Sequence, residues 1–456
     1  MKDKMHAKKR VIARKQAVFS FLLSFLLFTF LFSGIGLASQ GRWITRCVEI
    51  NESGNYIIKN NIFAKPQEKA CISITASNVV IDGAYKKLNG YDEFGSKTIF
   101  ILGNSTDKIK NITIKNINFK GDYTGVYVLE AEDVILNALA FQDSRIGVQV
   151  VNSSEVSISK SSFDTEQNAI YGQSSRNITI SGCSVSSNKG NGIRINASED
   201  VAIVFSFMRR VAGISIELEN SFGILISRNH FEVNIRGIEA RNCSELNIES
   251  NKFINNLEHG VSTFSSGGIR VSGNSFLGNA VGVFSLDGSS INLSQNTFEM
   301  NNFAAIIRNF SSVYSSEKSL KNNTNAFVIH NVKGFEGHYF SYNSSFRDFF
   351  FSSSKGKIAG TFESFKNISI AKERSDIIFV VDNNGNITIE TNLDFTIEEE
   401  EEEPVEVSGV EQRRRELIGL ITPRNLLMMG VSVVLLYLIS SELARKKRKR
   451  RRKKKE

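Results

Sequence analysis

The stretch "SNKFINNLEHGV", residues 250–261, places a phenylalanine between asparagines and follows them with a glycine. Two close relatives of this stretch lie downstream, "GNSFLGNAVGV" at 273–283 and "QNTFEMNNFAA" at 295–305. Asn, Phe, Asn and a small residue return in each at nearly the same spacing. A motif that returns at so regular an interval indicates a repeat architecture, in which every repeat is one structural unit.

The repeat extends through the middle of the chain. Nine repeats begin with an apolar residue, at Ile112, Val134, Val156, Ile178, Val201, Ile224, Leu246, Ile269 and Ile291. Seven residues after these starts stand Phe119, Phe141, Phe163, Val185, Met208, Phe231, Phe253, Phe276 and Phe298. Asn recurs five and ten residues after the start in the later repeats, and Gly or Ala recurs near position thirteen. The unit therefore has fixed apolar, amide and small positions.

Each unit contains short runs of alternating apolar and polar residues, as in "ITISGCSVSSNKGNGIRI" (178–195). Such alternation predicts half-buried strands, and three such strands in each repeat close one turn of a parallel coil. Equivalent residues of stacked turns then lie about 4.8 Å apart. We expect the phenylalanines to stack inside the coil and the asparagines to form amide ladders at its corners. A leucine-rich repeat shares the period, but its L-x-x-L-x-L signature is missing.

The two ends of the chain predict export and anchoring. Basic residues precede the apolar run "AVFSFLLSFLLFTFLFSGIGLA" (17–38), which is typical of an export signal; an uncleaved N-terminal anchor is the alternative. A second apolar run, "LLMMGVSVVLLYLISS" (426–441), comes directly before eleven consecutive Lys or Arg at 445–455. That order favours a transmembrane helix with a cytoplasmic tail over a buried core helix. The body of the protein is then predicted to lie outside the cell membrane.

The predicted fold class is all-β, a right-handed parallel β-helix solenoid with a small β-rich C-terminal module and one C-terminal transmembrane helix. The predicted segments are a signal or anchor at 1–39, an N-terminal cap at 40–75, the coil at 76–310, the β-rich module at 311–397, an acidic spacer at 398–416, the transmembrane helix at 417–441 and the basic tail at 442–456.

Charge is distributed unevenly along the chain. Residues 1–16 carry seven Lys or Arg and one Asp, and 445–455 carry eleven Lys or Arg, so the rest of the chain has 38 of the 56 basic and 46 of the 47 acidic residues. Because this body is acidic, nucleic acid is not the expected partner. The basic tail alone could bind anionic lipid or nucleic acid, although its position favours a role in membrane topology. Thirteen N-x-S/T sequons suit an exterior surface and also arise by chance in an Asn- and Ser-rich chain.

The repeat, together with Cys47, Gly54-Asn55-Tyr56, Cys71, "NVVIDG" (78–83) and "LNG" (88–90), resembles the right-handed parallel β-helix repeat proteins of the NosD-like, carbohydrate-binding and sugar-hydrolase kind. The resemblance covers roughly 44–310 and implies the fold. The group includes polysaccharide lyases, hydrolases, epimerases, adhesins and an accessory protein for copper-enzyme maturation, so activity has to be argued from sites. Cys47 and Cys71 flank a short strand-like stretch, and we expect them to be paired in a disulfide. Cys183 and Cys243 are expected to be free core residues.

The repeat register predicts a cluster of titratable groups on the strand that carries Phe. His230 and Glu232 point outward together, with Arg209 one coil before Glu232 and Lys252 one coil after His230. A carboxylate beside Arg and His could abstract a proton next to a uronate carboxyl, or bind an acidic sugar. These are the catalytic candidates, and the plain alternative is a cross-strand ion pair with two solvated neighbours.

Another outward face carries the candidate ligand-binding residues Tyr127, Tyr171, Arg194, Glu239 and Phe284. Exposed aromatic rings on a flat strand face could hold sugars, or they could be covered. An acidic corner with Asp133, Glu155, Glu199 and Glu245 could bind a cation such as Ca²⁺, but the sequons Asn152, Asn196 and Asn242 on that corner favour a solvated, shielded surface. No cofactor and no metal site are expected.

The sequence favours a non-catalytic, membrane-anchored cell-surface protein that binds or adheres to glycans or surface polymers. We find no stack of paired aspartates on adjacent coils of the kind that glycoside hydrolysis by this fold would need. A polysaccharide lyase or glycoside hydrolase acting on an acidic polymer is the main alternative. A structural envelope protein or an accessory protein for an exported metalloenzyme is the third. Ligand identity and oligomeric state stay open.

Overall fold

The computed structural model describes residues 41–65, 70–186, 189–338, 342–343, 347–361, 370–373, 375–383 and 387–391. Within these ranges the chain forms strands and no helix, so none of its described elements is an apolar helix long enough to cross a membrane. The predicted signal at 1–39 and the predicted transmembrane helix at 417–441 lie outside the described residues.

The strands follow one another with short corners between them. The first half of the described chain contains β1 (Arg42–Ile44), β2 (Val48–Ile50), β3 (Gly54–Ile58), β4 (Ile62–Phe63), β5 (Ala70–Ile74), β6 (Val79–Asp82), β7 (Lys87–Asn89), β8 (Lys97–Leu102), β9 (Ile109–Lys120), β10 (Thr124–Leu129), β11 (Ala131–Val151), β12 (Ser154–Ser159), β13 (Ser162–Gln173), β14 (Arg176–Ser181), β15 (Ser184–Ser186), β16 (Asn191–Asn196), β17 (Glu199–Val204), β18 (Phe207–Arg209) and β19 (Ile214–Glu219). The second half contains β20 (Phe222–Ser227), β21 (His230–Glu232), β22 (Arg236–Arg241), β23 (Ser244–Glu249), β24 (Lys252–Ile254), β25 (His259–Phe264), β26 (Ile269–Ser272), β27 (Ser275–Leu277), β28 (Val281–Ser294), β29 (Thr297–Glu299), β30 (Phe303–Ser316), β31 (Ser319–Lys321), β32 (Asn325–Val332), β33 (Phe335–His338), β34 (Tyr342–Asn343), β35 (Arg347–Ser352), β36 (Lys355–Thr361), β37 (Ile370–Glu373), β38 (Asp376–Asn383) and β39 (Ile387–Thr391).

Each strand of the coil pairs in parallel with the strand one turn before it and one turn after it, which gives three parallel sheets around one interior. Sheet 1 contains the repeat starts, for example Val134 opposite Val156. Sheet 2 contains the Phe positions, for example Phe231 opposite Phe253. Sheet 3 completes the turn, for example with Val126 opposite Val148. The predicted parallel coil is confirmed.

The interior is filled by residues that repeat at fixed registers. Ile, Val and Leu line sheets 1 and 3, and the Phe rings of sheet 2 lie face to face. Phe119, Phe141 and Phe163 form one stack, with ring centroids 4.6 and 4.9 Å apart. Val185 and Met208 then interrupt the stack. A second stack contains Phe231, Phe253, Phe276 and Phe298, with centroids 4.7 to 4.8 Å apart.

Two ladders of buried asparagine amides flank the second Phe stack, as predicted. Asn234 Nδ2 donates to Asn256 Oδ1 at 3.1 Å, and Asn256 Nδ2 donates to Asn279 Oδ1 at 2.8 Å. The other ladder runs Asn229, Asn251, Asn274 and Asn296. The Oδ1 atoms of Asn251 and Asn256 also accept from a backbone N–H of the preceding turn. The buried amides therefore satisfy the hydrogen-bonding groups of one another and of the backbone at the corners.

At the corner between sheets 3 and 1, a ladder of serine hydroxyls satisfies the buried backbone N–H groups. The Oγ atoms of Ser153, Ser175, Ser198 and Ser221 each accept from the backbone N–H one turn earlier. Cys243 takes the next place, buried and free, and Cys183 is likewise a free buried residue at the sheet 1 to sheet 2 corner. Cys47 and Cys71 form the predicted disulfide.

The coil is longer at both ends than the predicted limits of 76 and 310. Parallel pairing begins with β1 and β3 at Arg42 and continues to β36 and β38, where Thr361 lies opposite Asp382. The only antiparallel pair among the described strands joins β38 to β39. The later turns depart from the sequence pattern, because Leu320 replaces the Phe and the carboxyl of Glu317 replaces an amide at the end of a ladder.

Candidate functional site

One row of outward side chains on sheet 3 contains all five residues predicted to bind ligand on that face. Successive turns place these residues at a single register: Phe100, Tyr127, Gln149, Tyr171, Arg194, Glu217, Glu239, Ser262 and Phe284. Neighbours in the row are about 4.8 Å apart along the axis of the coil. The row is therefore continuous, but its members have different surroundings.

Phe100 and Tyr127 form what we call the aromatic platform. Their rings are stacked, with centroids 5.3 Å apart and an angle of 6° between the planes. The ammonium of Lys97 lies 5.2 Å from the Phe100 centroid and 5.3 Å from that of Tyr127. Both rings are half-buried, and burial raises the pKa of the Tyr127 hydroxyl. Tyr171 lies two turns further on, and its hydroxyl donates to Gln173 Oε1 at 2.8 Å.

Glu239 is not available to a ligand, which corrects the prediction for this residue. It is 1% exposed, and its carboxylate lies between two arginines of its own strand. Arg236 Nη1 donates to Oε2 at 2.7 Å, and Arg241 donates to Oε1 through Nε at 2.9 Å and through Nη2 at 2.5 Å. Arg236 also donates to Glu258 on the next turn. Burial of this carboxylate is tolerated because both of its oxygens accept from cations.

Arg194 is also engaged within the same face. Its guanidinium lies 3.2 Å from Glu217 Oε2 and 3.4 Å from Glu219 Oε2, both one turn later. Asn191 donates to the same Glu217 oxygen at 2.7 Å. We refer to the group formed by Arg194, Glu217, Glu219, Arg236, Glu239 and Arg241 as the paired network. Each of its arginines faces at least one carboxylate.

Phe284 packs against its neighbours on the outer face. Its ring is half-buried and lies 5.0 Å from the ring of His259 and 5.8 Å from that of Phe264. The guanidinium of Arg241 covers Phe264 at 4.6 Å. Burial lowers the pKa of His259, and the charge of Arg236 lowers it further. The structure thus brings Arg194, Glu239 and Phe284 into one packed surface rather than into a cleft.

The cluster predicted on sheet 2 is present at the predicted register. Arg209 lies opposite Glu232, and His230 lies opposite Lys252. Glu232 Oε2 is 3.5 Å from Arg209 Nε and 3.7 Å from His230 Nε2. The contacts are close enough for charge interaction, but neither nitrogen has a hydrogen-bond partner among the described residues. Burial lowers the pKa of His230, and the charges of Lys252 and Arg209 act in the same direction against that of Glu232.

Residues 97–234 and 209–325 match the family described as a right-handed β-helix region, and together they span half of the chain. The chain belongs to the right-handed β-helix family. No curated protein matches its sequence.

Several solved structures resemble this β-helix. A surface adhesin of Streptococcus pneumoniae is 12% identical over 74% of this chain and 85% of its own, with a TM-score of 0.39. A periplasmic alginate epimerase is 15% identical over 67% of this chain and 76% of its own, with a TM-score of 0.40. A tailspike protein of the E. coli bacteriophage HK620, in complex with a hexasaccharide, is 10% identical over 72% of this chain and 73% of its own, with a TM-score of 0.45.

The acidic corner of the β-helix holds its carboxylates one to a turn, with Asp133 and Glu155 on successive turns. Asp133, Glu155 and Glu245 each hold the left-handed corner conformation, with φ between 52° and 56°. Asp200, not Glu199, occupies this position on its turn, because an extra residue in that turn shifts the register; Glu199 lies opposite Arg176. Within the part of the chain that the structure describes, no group of three His, Cys, Asp or Glu could hold a metal ion.

Two further carboxyls of this β-helix lie inside the coil, and sequence reasoning missed both. Burial raises the pKa of Asp122 to about 6, while donation from Thr98 and Ser144 opposes the shift. Burial raises the pKa of Glu317 to about 8, against donation from the Asn296 backbone N–H at 2.8 Å. Neither faces a ligand on an outer face. Glu317 has a sequence signal, because it stands one turn after the last Asn of a ladder.

The aromatic platform was also incompletely predicted. Tyr127 was identified, but Phe100 and Lys97 were not. The turn between Val79 and Ile112 is much longer than those that follow it, so the repeat register breaks just where Phe100 lies. Only the pairing of β8 with β10 shows that Phe100 precedes Tyr127 in the same row.

Proposed function

We propose that this β-helix is a non-catalytic, membrane-anchored cell-surface protein that binds glycans or surface polymers. The observation that carries the proposal is the aromatic platform of Phe100 and Tyr127 on the outer face of sheet 3. The platform begins a row of outward side chains that follows the axis of the coil. A row of this kind suits a linear polymer, which can lie across several turns.

Stacked rings with a cation beside them suit a sugar better than they suit a small hydrophobic ligand. An aromatic face offers apolar contact to the C–H groups of a sugar ring, while hydroxyl and amide groups nearby supply hydrogen bonds. Lys97 beside the platform and Gln149 one turn beyond Tyr127 are such polar groups. The half-buried rings lose little side-chain freedom when they bind, which limits the entropic cost of association.

Anchoring at the cell surface is the location that this proposal adopts. The apolar run at 426–441 and the basic block at 445–455 support it, since the order of the two fits a stop-transfer helix with its tail in the cytoplasm. The acidic run at 398–403 would act as a solvated spacer between the coil and the membrane.

Retention of the full-length chain on immobilised polysaccharides tests the binding function. The panel contains neutral polymers (dextran, xylan, galactan) and acidic ones (polygalacturonate, hyaluronate). We expect retention on at least one polymer, reduced about tenfold by Tyr127→Ala, with the loss in binding free energy about 1.4 kcal/mol. Tyr85→Ala is the matched control, because Tyr85 is an exposed tyrosine outside the row. If both variants lose retention equally and their thermal unfolding is unchanged, the platform is not part of the binding site.

A polysaccharide lyase or hydrolase is a second candidate, favoured by the position of Glu232 between Arg209 and His230. A neutral His230 beside a carboxylate could exchange a proton with a substrate. The same incubations would therefore be assayed for new polymer chain ends. Cleavage by the native chain that disappears in Glu232→Gln would establish an enzyme and overturn the non-catalytic proposal.

A further inference from the structure

One side of the coil carries a concentration of positive charge on an otherwise acidic body. We call it the cationic patch and define it by Arg209, Arg210, Arg228, Lys252 and the exposed ring of Phe205. The residues lie on sheet 2 and its two corners, on three successive turns. Neighbouring turns are about 4.8 Å apart, so the patch extends about 10 Å along the axis. Glu232 is the carboxylate at its centre.

The charges of the cationic patch are largely uncompensated. Arg210, Arg228 and Lys252 form no ion pair with any described residue, and only Arg209 faces a carboxylate, that of Glu232 at 3.5 Å. Arg194, Arg236 and Arg241 of the paired network, in contrast, all have carboxylate partners. Four cations on three successive turns give this face a positive potential, which favours the binding of an anion.

Two polar atoms of the patch are desolvated without compensation. Arg209 Nε and His230 Nε2 are buried, and neither has a hydrogen-bond partner in the described part of the chain. Arg194 Nε on sheet 3 is likewise buried without a hydrogen-bond partner among the described residues, so this feature is shared by the two faces. A carboxylate or sulfate group on this face would therefore be held by the exposed cations Arg210, Arg228 and Lys252.

The aromatic member of the patch stands exposed at a corner of the coil. Phe205 has φ of 54° and is 58% exposed, at a corner position where the neighbouring turns have Gly182 and Arg228. This conformation is common to the corners of the coil, and Arg210 and Arg228 hold it too, so Phe205 is distinguished by its exposure and not by its backbone. The guanidinium of Arg228 lies 5.2 Å from the Phe205 ring centroid, which presents a flat apolar face and a cation side by side.

We propose that the cationic patch binds the acid groups of an anionic polysaccharide, carboxylate or sulfate, with a sugar ring against Phe205. The proposal rests on the glycan-binding function and assigns a ligand class and a second surface to it. A nucleic acid fits less well. A nucleic acid carries a charge on every phosphate, and the acidic body around the four cations would repel a strand that extends beyond the patch. A polymer with spaced acid groups and uncharged ring faces matches both the number of cations and the aromatic face.

Affinity electrophoresis of the full-length chain through gels that contain dextran sulfate, polygalacturonate or uncharged dextran tests the proposal. The variant is R210Q/R228Q/K252Q, and the control is R270Q/K318Q/K333Q, which removes the same charge from exposed positions outside the patch. The basic ends of the chain are identical in both, so they contribute equally. We expect the patch variant to bind dextran sulfate and polygalacturonate at least tenfold more weakly, and the control to lose less than threefold.

Equal losses in the patch and control variants would overturn the proposal, because they would report net charge alone. A single-stranded oligonucleotide is run in parallel, and equal weakening on it would overturn the assignment to a glycan. The result also separates the two binding surfaces. If Tyr127→Ala loses polymer affinity and R210Q/R228Q/K252Q does not, the platform is a binding surface and the patch is not. If only R210Q/R228Q/K252Q loses affinity, the patch is a binding surface and the platform is not.

Discussion

The paired network on sheet 3 and the cationic patch on sheet 2 are built from similar residues on neighbouring turns, yet they differ in what they can do. In the network, Glu239 is buried between Arg236 and Arg241, and every arginine has a carboxylate partner. On the patch, Arg210, Arg228 and Lys252 have none among the described residues. The comparison teaches that register alone does not mark a binding surface on a solenoid. The two faces differ in whether neighbouring turns satisfy their charges, and the binding proposal for the patch rests on that difference.

Glu239→Gln is expected to give the largest effect, because it breaks the network from within. The neutral amide leaves Arg236 and Arg241 without their shared charge partner at a site where Glu239 is 1% exposed. Breaking a buried pair costs about 3 kcal/mol in the free energy of unfolding. Urea unfolding measures it, and Glu232→Gln is the matched control, expected to cost less than about 1 kcal/mol because it lies on the exposed patch. Equal costs would contradict the contrast between the two faces.

Glu317 extends the comparison, because it is a buried carboxyl with no cation beside it among the described residues. Its pKa of about 8 in the fold exceeds the ordinary value of 4.5, so the folded state binds the proton more tightly and stability falls as pH rises between these values. Between about pH 6.5 and 8 we expect this carboxyl to contribute a loss of roughly 1.5 kcal/mol, taken as the difference between the native chain and Glu317→Gln so that the titration of the histidines and of Asp122 cancels. Urea unfolding at several pH values should show this slope in the native chain and not in Glu317→Gln. Asp287→Asn, at an exposed corner, should leave the slope intact.

Binding of a permanently charged polymer to the patch should depend on pH through His230. The free protein keeps the pKa of His230 low, through burial and the charges of Lys252 and Arg209, opposed by Glu232. A bound anion raises that pKa, so the complex binds more protons than the free protein and affinity rises as pH falls. We expect a gain of about threefold to fivefold in dextran sulfate affinity from about pH 7.5 to 5.5. His230→Gln should abolish the gain. His259→Gln, within the sheet 3 face, should retain it.

The smallest expected change in polymer binding comes from removing Glu232, the carboxylate at the centre of the patch. Glu232→Gln removes the carboxylate that faces Arg209, so retention on dextran sulfate should increase about twofold to threefold, with uncharged dextran unaffected. Titration in affinity gels measures the difference. Weaker binding in this variant would show that Glu232 contacts the ligand rather than opposing it, and would bring the enzymatic candidate forward.

The architecture was readable from the sequence because each turn repeats one apolar and amide pattern. Arg209 and Glu232 were correctly placed opposite each other for the same reason, since register is a matter of counting. The burial of Glu239 and its pairing with two arginines could not be predicted from the register. Arg236 and Arg241 stand close to it on the same strand, but only the folded face shows that both guanidiniums turn towards one carboxylate. The turns beyond 310 were missed because Leu320 and Glu317 replace the residues that identify the repeat.

The break in the phenylalanine stack at Val185 and Met208 divides the coil mechanically. Both Asn ladders start only at Asn229 and Asn234, so the turns between Phe163 and Phe231 lack ring stacking and amide ladders together. The serine ladder and the parallel backbone pairs continue through these turns, and we expect the turns to form a more deformable segment, a seam between two stiffer blocks. Tension along the axis is therefore expected to part the coil at this seam first. The cationic patch lies across its C-terminal side. A polymer bound there would bridge the turns that we expect to separate first, and would resist their separation.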